Sequence, residues 1–428
     1  MTTKLKGRCL IAQSGGPTAA INSSACGLIQ QAAKHPEVFT GCYAGLNGIL
    51  GVLKEELFDL GDESPEQIEL LRSSPAAALG SCRYKLKSMS QSRVDYERIL
   101  EVFRAHDVRF FFYAGGNDSM DTADKVAGLA AETGYDLIAV GVPKTIDNDL
   151  AFTDHCPGYG SVAKIIATTA MEAGRDTEAL ATADTVTVME VMGRNAGWIA
   201  AAAGLANRDG DQDAPHLVYL PEVPFSIDKF VADVKATVAR IGRAFVVVGE
   251  GLRDADGNFL SESKGAFATD SFGHAQLGGV AQILARVVSD RVGVKGRDFK
   301  LGQAQRSAAH WASATDLKEA YLAGSAAVKA ALRGVSGKMV TLVRTDRAGR
   351  YACSTGLADL SAVANGEKMV PPDYINPAGN GVTEAFKNYA RPLIAGQAKV
   401  KLGEDGLPVF TRFKKTLVAK KCGPWTAK

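Results

Sequence analysis

Residues 108–119 read VRFFFYAGGNDS, and this stretch shows how the chain is built. The run Val108–Tyr113, apolar except for Arg109, is followed at once by a turn with two glycines and by polar residues. A strand with consecutive apolar residues is buried on both faces, as in a parallel sheet covered by helices. The helical pattern that follows, as far as about Glu132, supplies such a cover. The stretch therefore predicts one strand–turn–helix unit of an α/β fold.

The same unit recurs on both sides of this stretch. Four further apolar runs end in a turn that contains Gly or Pro: Arg8–Ala12, Leu137–Val142, Thr185–Val191 and Ala244–Gly249. Their alternation with helical patterns predicts a doubly wound α/β fold. Because ligands of such folds bind beyond the carboxyl ends of the strands, we expect the five turns to meet at one crevice.

The composition sets limits on function. Of 428 residues, 46% are hydrophobic and 22% are charged, which excludes an intrinsically disordered chain. The 49 Lys and Arg nearly balance the 47 Asp and Glu, so the net charge of +2 predicts neither a nucleic-acid nor a membrane partner. The seven scattered cysteines include no Cys-x-x-Cys pair, which argues against a disulfide framework and a zinc site. With no apolar run near the ~20 residues of a membrane span, we expect a soluble, cytoplasmic protein.

Two of the turns carry paired glycines. One is SGGPTAAIN (14–22), and the other is GGNDS (115–119). Bare backbone N–H groups at a helix N-terminus suit a phosphate group, although neither turn is a Walker A loop. An Asn/Asp pair beside such a turn suits Mg²⁺. The alternative is that Asp118 or Ser119 only caps the following helix.

The most specific turn is PKTIDND (143–149). In an extended segment Asp147 and Asp149 would lie on the same side. One carboxylate can then take a proton from a hydroxyl while the other helps to hold a metal ion. Lys144 would neutralise charge on a phosphoryl group in transfer. The alternative is a turn with solvated charges.

Further charged residues follow the later strands. MGRNAG (192–197) brings Arg194 to the start of a helix, and an arginine binds phosphate through two parallel hydrogen bonds. Glu250 directly follows the run Ala244–Gly249 and can accept hydrogen bonds from sugar hydroxyls. Arg297 and Arg306 add two more cations, although a lone arginine is commonly just a surface charge. Together the turns indicate phosphoryl transfer involving a phosphorylated small molecule.

In this order the motifs resemble those of the phosphofructokinases. The matching motifs are SGGPTAAIN, GGNDS, PKTIDND, MGRNAG, the Glu250-Gly251 pair and QAQR (303–306), all within about residues 8–335. The resemblance implies two Rossmann-like, three-layer domains. Residues 1–155 with about 307–375 would bind the phosphoryl donor, residues 156–306 the sugar phosphate, and 376–428 would form a C-terminal extension packed on the body. It also implies phosphorylation of the 1-hydroxyl of fructose 6-phosphate, with Mg²⁺, in a homodimer or homotetramer.

The resemblance also implies a role for each site residue. Asp147 would be the catalytic base, with Lys144 and Thr145 at the transferring phosphoryl group. The donor would contact Gly15, Gly16, Arg83, Asp118, Ser119 and Lys144. The acceptor would contact Thr145, Ile146, Asp147, Met192, Gly193, Arg194, Glu250, Arg297, Gln303, Ala304, Gln305 and Arg306, with Arg297 reaching into a neighbouring subunit's site. Metal ligands would be drawn from Asn117, Asp118 and Asp149, and the choice between the first two stays open.

Two positions bear on the identity of the donor. ATP-dependent members of the family usually read GGDGS and PGTIDND, so Asp118 and Lys144 each replace a glycine. A carboxylate at position 118 would crowd and repel the α-phosphate of ATP. Lys144 would lie against the charge of pyrophosphate. This pattern resembles the pyrophosphate-dependent branch, whose reaction is reversible. The alternatives are an ATP-dependent phosphofructokinase and a non-catalytic subunit that binds sugar phosphates.

Overall fold

The computed structural model describes residues 5–261, 277–346 and 349–426. The remaining parts of the expected domains lie outside the described residues. The strands are β1 (Gly7–Gln13), β2 (Phe39–Gly45), β3 (Leu57–Asp59), β4 (Val108–Gly115), β5 (Ile138–Pro143), β6 (Val186–Val191), β7 (Leu217–Tyr219), β8 (Ala244–Gly249), β9 (Gly296–Lys300), β10 (Lys338–Arg344) and β11 (Cys353–Asp359). The helices are α1 (Ile21–Ala32), α2 (Ile49–Leu53), α3 (Pro65–Leu70), α4 (Val94–Ala105), α5 (Asn117–Glu132), α6 (Tyr159–Ala179), α7 (Trp198–Ala202), α8 (Ile227–Ile241), α9 (Val280–Val287), α10 (Ala304–Ser307), α11 (Ala314–Leu332), α12 (Leu360–Ala364) and α13 (Glu384–Ala390).

The larger sheet has the strand order β11-β10-β5-β4-β1-β2-β3. Its five central strands are parallel, whereas β3 and β11 run antiparallel to their neighbours at the two edges. Strand β4 shows why residues 110–113 are apolar without interruption. Phe110 and Phe112 pack with α1 and α11 on one face, and Phe111 and Tyr113 pack with α4 and α5 on the other. Burial of each such ring contributes about 1.5–3 kcal/mol. We call this sheet with its helices the first lobe.

The smaller sheet has the order β7-β8-β6-β9 and is parallel throughout. It too is covered on both faces. Met189 and Phe245 pack with α6 and α7, whereas Val188 and Val246 pack with α8 and α9. This second lobe completes the pair of three-layer α/β units that the family resemblance implies.

The chain after α12 contacts both lobes. Phe386 of α13 is buried with Trp198 in the second lobe. Farther on, the backbone N–H groups of Thr411 and Val418 donate hydrogen bonds to the Ser74 hydroxyl (2.8 Å) and the Leu57 carbonyl (2.8 Å) of the first lobe. The domain boundaries near residues 155, 306 and 375 stay a prediction. Within the described ranges no helix combines the length and the apolarity that a membrane crossing requires.

Candidate active site

Five loops meet in a cleft between the two lobes, as the sequence predicts. The loops after β1, β4 and β5 come from the first lobe, and those after β6 and β8 come from the second. They enclose a cavity of about 520 Å³. Fifteen of the expected site residues line it: Gly15, Gly16, Arg83, Asn117, Asp118, Ser119, Lys144, Thr145, Ile146, Asp147, Asp149, Met192, Arg194, Glu250 and Arg306.

A larger cavity lies elsewhere in the first lobe. It has a volume of about 640 Å³ and lies among α1, α3, α11 and residues 397–401. None of the expected site residues lines it. Volume alone therefore does not identify the candidate site, whereas the convergence of strand-end loops does.

The first glycine turn lets two cations approach the backbone. Gly15 has a φ of +77°, and a Cβ atom there would lie 3.1 Å from Lys144 Nζ. A Cβ atom on Gly16 would lie 3.1 Å from Arg306 Nη1. Lys144 Nζ donates a hydrogen bond to the Gly16 carbonyl at 2.9 Å. A Cβ atom at either glycine would thus force the ammonium or the guanidinium group to shift by a few tenths of an ångström.

Lys144 is a buried cation. Its side chain is 3% exposed. Burial, together with the nearby Arg306 and Arg83, lowers the pKa of Lys144 to about 8 against the opposing effect of Asp147. The site therefore holds a concentration of positive charge that is unfavourable until an anion binds.

The two carboxylates of the TIDND loop are half-buried and face the same cavity. Burial raises the pKa of both side chains. The carboxylate of Glu250 adds to this increase at Asp147, and the carboxylate of Asp147 adds to it at Asp149. Such a carboxylate is a better proton acceptor than a solvated one.

The backbone of this loop corrects one sequence-based assumption. The segment is not extended, because Asn148 has a φ of +56°. Asn148 holds this turn with its side chain: its amide nitrogen donates to the Tyr389 hydroxyl (2.9 Å), and its Oδ1 accepts from the Cys156 N–H (2.9 Å). Asp147 and Asp149 share the cavity through this left-handed turn and not through strand alternation.

The second glycine turn presents oxygen atoms suited to a hard cation. Helix α5 has Gly116 as its N-cap and no side-chain cap, so the capping role considered for Asp118 and Ser119 is wrong. Asn117 Oδ1 is buried and has no hydrogen-bond partner among the described residues. Asp118 Oδ1 lies 3.3 Å from Lys85 Nζ. The free amide oxygen, with the carboxylates of Asp118 and Asp149, fits the oxygen ligands that Mg²⁺ takes.

The second lobe supplies the opposite wall. Arg194 lines the cavity beside Glu250, whose carboxylate accepts a hydrogen bond from the Gly193 N–H at 3.3 Å. Burial raises the pKa of Glu250. Gln305 does not line the cavity, but its Oε1 accepts from the Met192 N–H at 3.0 Å and so supports the loop. The wall thus combines an arginine for phosphate with a carboxylate for hydroxyl groups.

Several expected site residues lie outside the cavity. Gln303 and Ala304 are at the start of α10, and neither they, Gly193 nor Gln305 line the cavity. Arg297 is on β9, where its guanidinium group pairs with Asp184 at 2.8 Å. Its expected contact with a neighbouring subunit stays a prediction.

One wall was missed by the sequence analysis. Residues 364–367, which follow α12, line the cavity, and Glu367 contributes to raising the pKa of Asp147 and Asp149. No apolar strand run precedes this segment, so strand-end reasoning does not select it. The only local signal is Gly366 beside charged residues.

Comparison with known proteins places this fold and cavity in a class. The sequence profile described as Phosphofructokinase matches residues 8–330. The chain belongs to the phosphofructokinase family.

Three relatives are similar along nearly the whole chain. Two curated proteins named pyrophosphate–fructose 6-phosphate 1-phosphotransferase are 49% identical (Xanthomonas campestris pv. campestris strain B100; 98% of this chain, 99% of the relative) and 48% identical (Halomonas elongata; 96% and 97%). The crystal structure of a pyrophosphate-dependent phosphofructokinase from Marinobacter aquaeolei matches with a TM-score of 0.89 at 45% identity. It covers 99% of this chain and 100% of its own.

Proposed function

We propose that this chain transfers a phosphoryl group reversibly from pyrophosphate to the 1-hydroxyl of fructose 6-phosphate, giving fructose 1,6-bisphosphate and phosphate. The observation that carries the proposal is the pair Asp118 and Lys144 in one cavity with Asp147. Relatives named for this reaction, similar over nearly the full chain, support it.

The charges of the cavity favour a small, highly charged donor. Lys144, Arg83 and Arg306 lie around the Gly15-Gly16 turn, where an anion would relieve their mutual repulsion. Pyrophosphate brings its charge to this cluster without a nucleoside. A donor with a further phosphate would meet the carboxylate of Asp118, which repels it.

Asp147 performs the proton step. Its carboxylate accepts the proton of the 1-hydroxyl as the hydroxyl oxygen bonds to one phosphorus of pyrophosphate. The bond between that phosphorus and the bridging oxygen breaks, and phosphate leaves with the electron pair. Lys144 and Arg83 stabilise negative charge on the phosphoryl oxygens, which is the dominant requirement of such transfers. In reverse, protonated Asp147 returns the proton to the sugar oxygen.

Phosphofructokinases generally use Mg²⁺. We propose that Asn117, Asp118 and Asp149 hold it here, directly or through water, because their oxygens line the donor side of the cavity. When bound, the ion would neutralise charge on the donor. We further propose a cytoplasmic homodimer or homotetramer, for which sedimentation of the purified chain is the measurement.

A coupled assay tests the donor. Purified protein receives fructose 6-phosphate, Mg²⁺ and either pyrophosphate or ATP, and fructose 1,6-bisphosphate is the readout. We expect turnover with pyrophosphate and none with ATP. Turnover with ATP alone would overturn the donor assignment. No turnover with either donor would favour a non-catalytic sugar-phosphate-binding protein.

The same assay tests the base. Asp147→Ala should lose most of kcat while its circular dichroism and melting stay those of the wild type. Near-normal turnover in this variant would refute the assignment of Asp147.

A further inference from the structure

Lys368 lies directly behind the cavity wall. Its neighbour Glu367 lines the cavity, whereas Lys368 turns away from it and is half-buried. The two residues follow α12 and run beside the TIDND loop, with an isolated antiparallel bridge between Leu150 and Glu367. Nothing in the reaction as derived above uses Lys368.

Lys368 contacts the catalytic loop at three backbone carbonyls. Its N–H donates to the Asp149 carbonyl at 2.7 Å. Its ammonium group donates to the carbonyls of Thr153 (3.1 Å) and Asp154 (2.8 Å). Hydrogen bonds from a charged donor are stronger than neutral ones, so one side chain fixes the far end of the loop.

The loop that Lys368 contacts has an unfavourable backbone. Asn148 has a φ of +56° and Phe152 a φ of +64°, and the second value is rare for a bulky residue. Phe152 is 64% exposed, so packing of its ring does not stabilise that conformation. Residues in such conformations persist only where their surroundings hold them. The three hydrogen bonds from Lys368 lie on both sides of Phe152, and the first of them is at Asp149, the residue after Asn148.

The same residue ties this loop to the other lobe. The indole N–H of Trp198, the first residue of α7, donates to the Lys368 carbonyl at 2.8 Å. The ammonium group lies 5.3 Å from the centre of the Trp198 ring, within the range of a cation–π contact. Helix α7 follows the loop of Arg194. Lys368 therefore joins the loop that carries the base to the wall expected to bind the sugar phosphate.

We propose that Lys368 is a positioning residue for the phosphoryl transfer, acting through the backbone of residues 149–154 to hold the Asp147 carboxylate against the acceptor hydroxyl. This role rests on the proposed function. It predicts an effect on turnover larger than the effect on binding, because misplacement of a base by about 1 Å lowers rates by up to about 100-fold. A merely structural lysine would lower stability and leave kcat intact.

The test compares three variants of the full chain. Lys368→Met keeps the aliphatic stem and removes the donors, and Lys368→Arg keeps a charged donor. Lys387→Met is the matched control, because Lys387 Nζ also donates to a backbone carbonyl (Asn207, 3.0 Å) but does not line the cavity. The readouts are kcat, the KM of each substrate, and amide hydrogen exchange across the chain.

We expect Lys368→Met to lower kcat by about 10- to 100-fold with KM values within about threefold of wild type. Exchange should accelerate in residues 147–154 and stay unchanged elsewhere. Lys368→Arg should recover part of kcat, and Lys387→Met should match the wild type in both readouts.

Three results would overturn the proposal: an unchanged kcat in Lys368→Met, an equal loss of kcat in Lys387→Met, or faster exchange throughout the chain. If the wild type turns over neither donor, the proposed function fails and exchange alone decides. Faster exchange confined to residues 147–154 then still supports the proposal that Lys368 holds this loop, and unchanged exchange there refutes it.

Discussion

Replacing Lys144 with methionine should abolish most activity with pyrophosphate and at the same time stabilise the fold. In the proposed function the ammonium group balances the negative charge of the donor, but without a donor it is a buried cation beside Arg83 and Arg306. Methionine keeps a stem of similar length and lacks the charge. Activity and stability should therefore change in opposite directions.

The lowered pKa gives the magnitude. A drop from 10.5 to about 8 corresponds, at about 1.4 kcal/mol per pH unit, to about 3 kcal/mol of unfavourable free energy for the charged form in the folded state. Loss of the hydrogen bond to the Gly16 carbonyl offsets about 1 kcal/mol of this. At pH near 7 the variant should thus unfold with a free energy about 2 kcal/mol above that of the wild type.

The sign of the pH dependence follows from proton linkage. Between about pH 8 and 10.5 the unfolded chain holds a proton on Lys144 that the folded chain has lost, so wild-type stability rises relative to the variant. The advantage of Lys144→Met should shrink across this window. Equilibrium urea unfolding at several pH values, followed by circular dichroism, measures it. A variant less stable than wild type at neutral pH, or a difference independent of pH, would refute the reasoning.

Three further changes test other parts of the molecule. Asn117→Leu removes a buried oxygen that has no hydrogen-bond partner in the described part of the chain, so the Mg²⁺ concentration for half-maximal activity should rise by about tenfold. An unchanged Mg²⁺ titration would exclude Asn117 from the proposed ligands. Gly15→Ala should raise the KM of pyrophosphate more than that of the sugar phosphate, because the new methyl group would lie against Lys144 Nζ and because Gly15 has a φ of +77°. Equal increases in the two KM values would contradict this. Burial lowers the pKa of His216 to about 4. The free energy of unfolding of the wild type should therefore fall by about 1.4 kcal/mol per pH unit as pH drops from 6.5 towards 4. His216→Asn should lack this loss in acid-unfolding curves.

The sequence predicted the fold through its most regular feature. The run 108–113 and its four counterparts became parallel strands of two sheets within a few residues of the expected bounds, because burial on both faces demands mostly apolar residues without a polar alternation. The loops at their carboxyl ends converge for the same topological reason. Lys144, Asp147 and Arg194 could therefore be brought to one cavity without any coordinates.

The features that the sequence did not reveal depend on contacts distant along the chain. The left-handed turn at Asn148 is held by Tyr389 and Cys156, neither of which lies in a recognisable motif. Glu367 and Lys368 are held beside the TIDND loop by a backbone bridge and a backbone hydrogen bond, which any residue type can make and which leave no periodic pattern. Their position beside the loop follows from the path of the chain after α12.

The path of the chain after α12 has a consequence for the order in which the cavity is completed during synthesis. A ribosome synthesises the TIDND loop long before it reaches Lys368, so the nascent chain contains Asp147, the proposed base, before it contains the residue proposed to position that loop. Until then residues 149–154, which include Phe152 with its φ of +64°, lack the three hydrogen bonds from Lys368. A chain stopped after β11 would contain every motif of the family resemblance and still lack one wall of its cavity. Competence for the reaction should therefore arise late in synthesis, in one step, and not motif by motif.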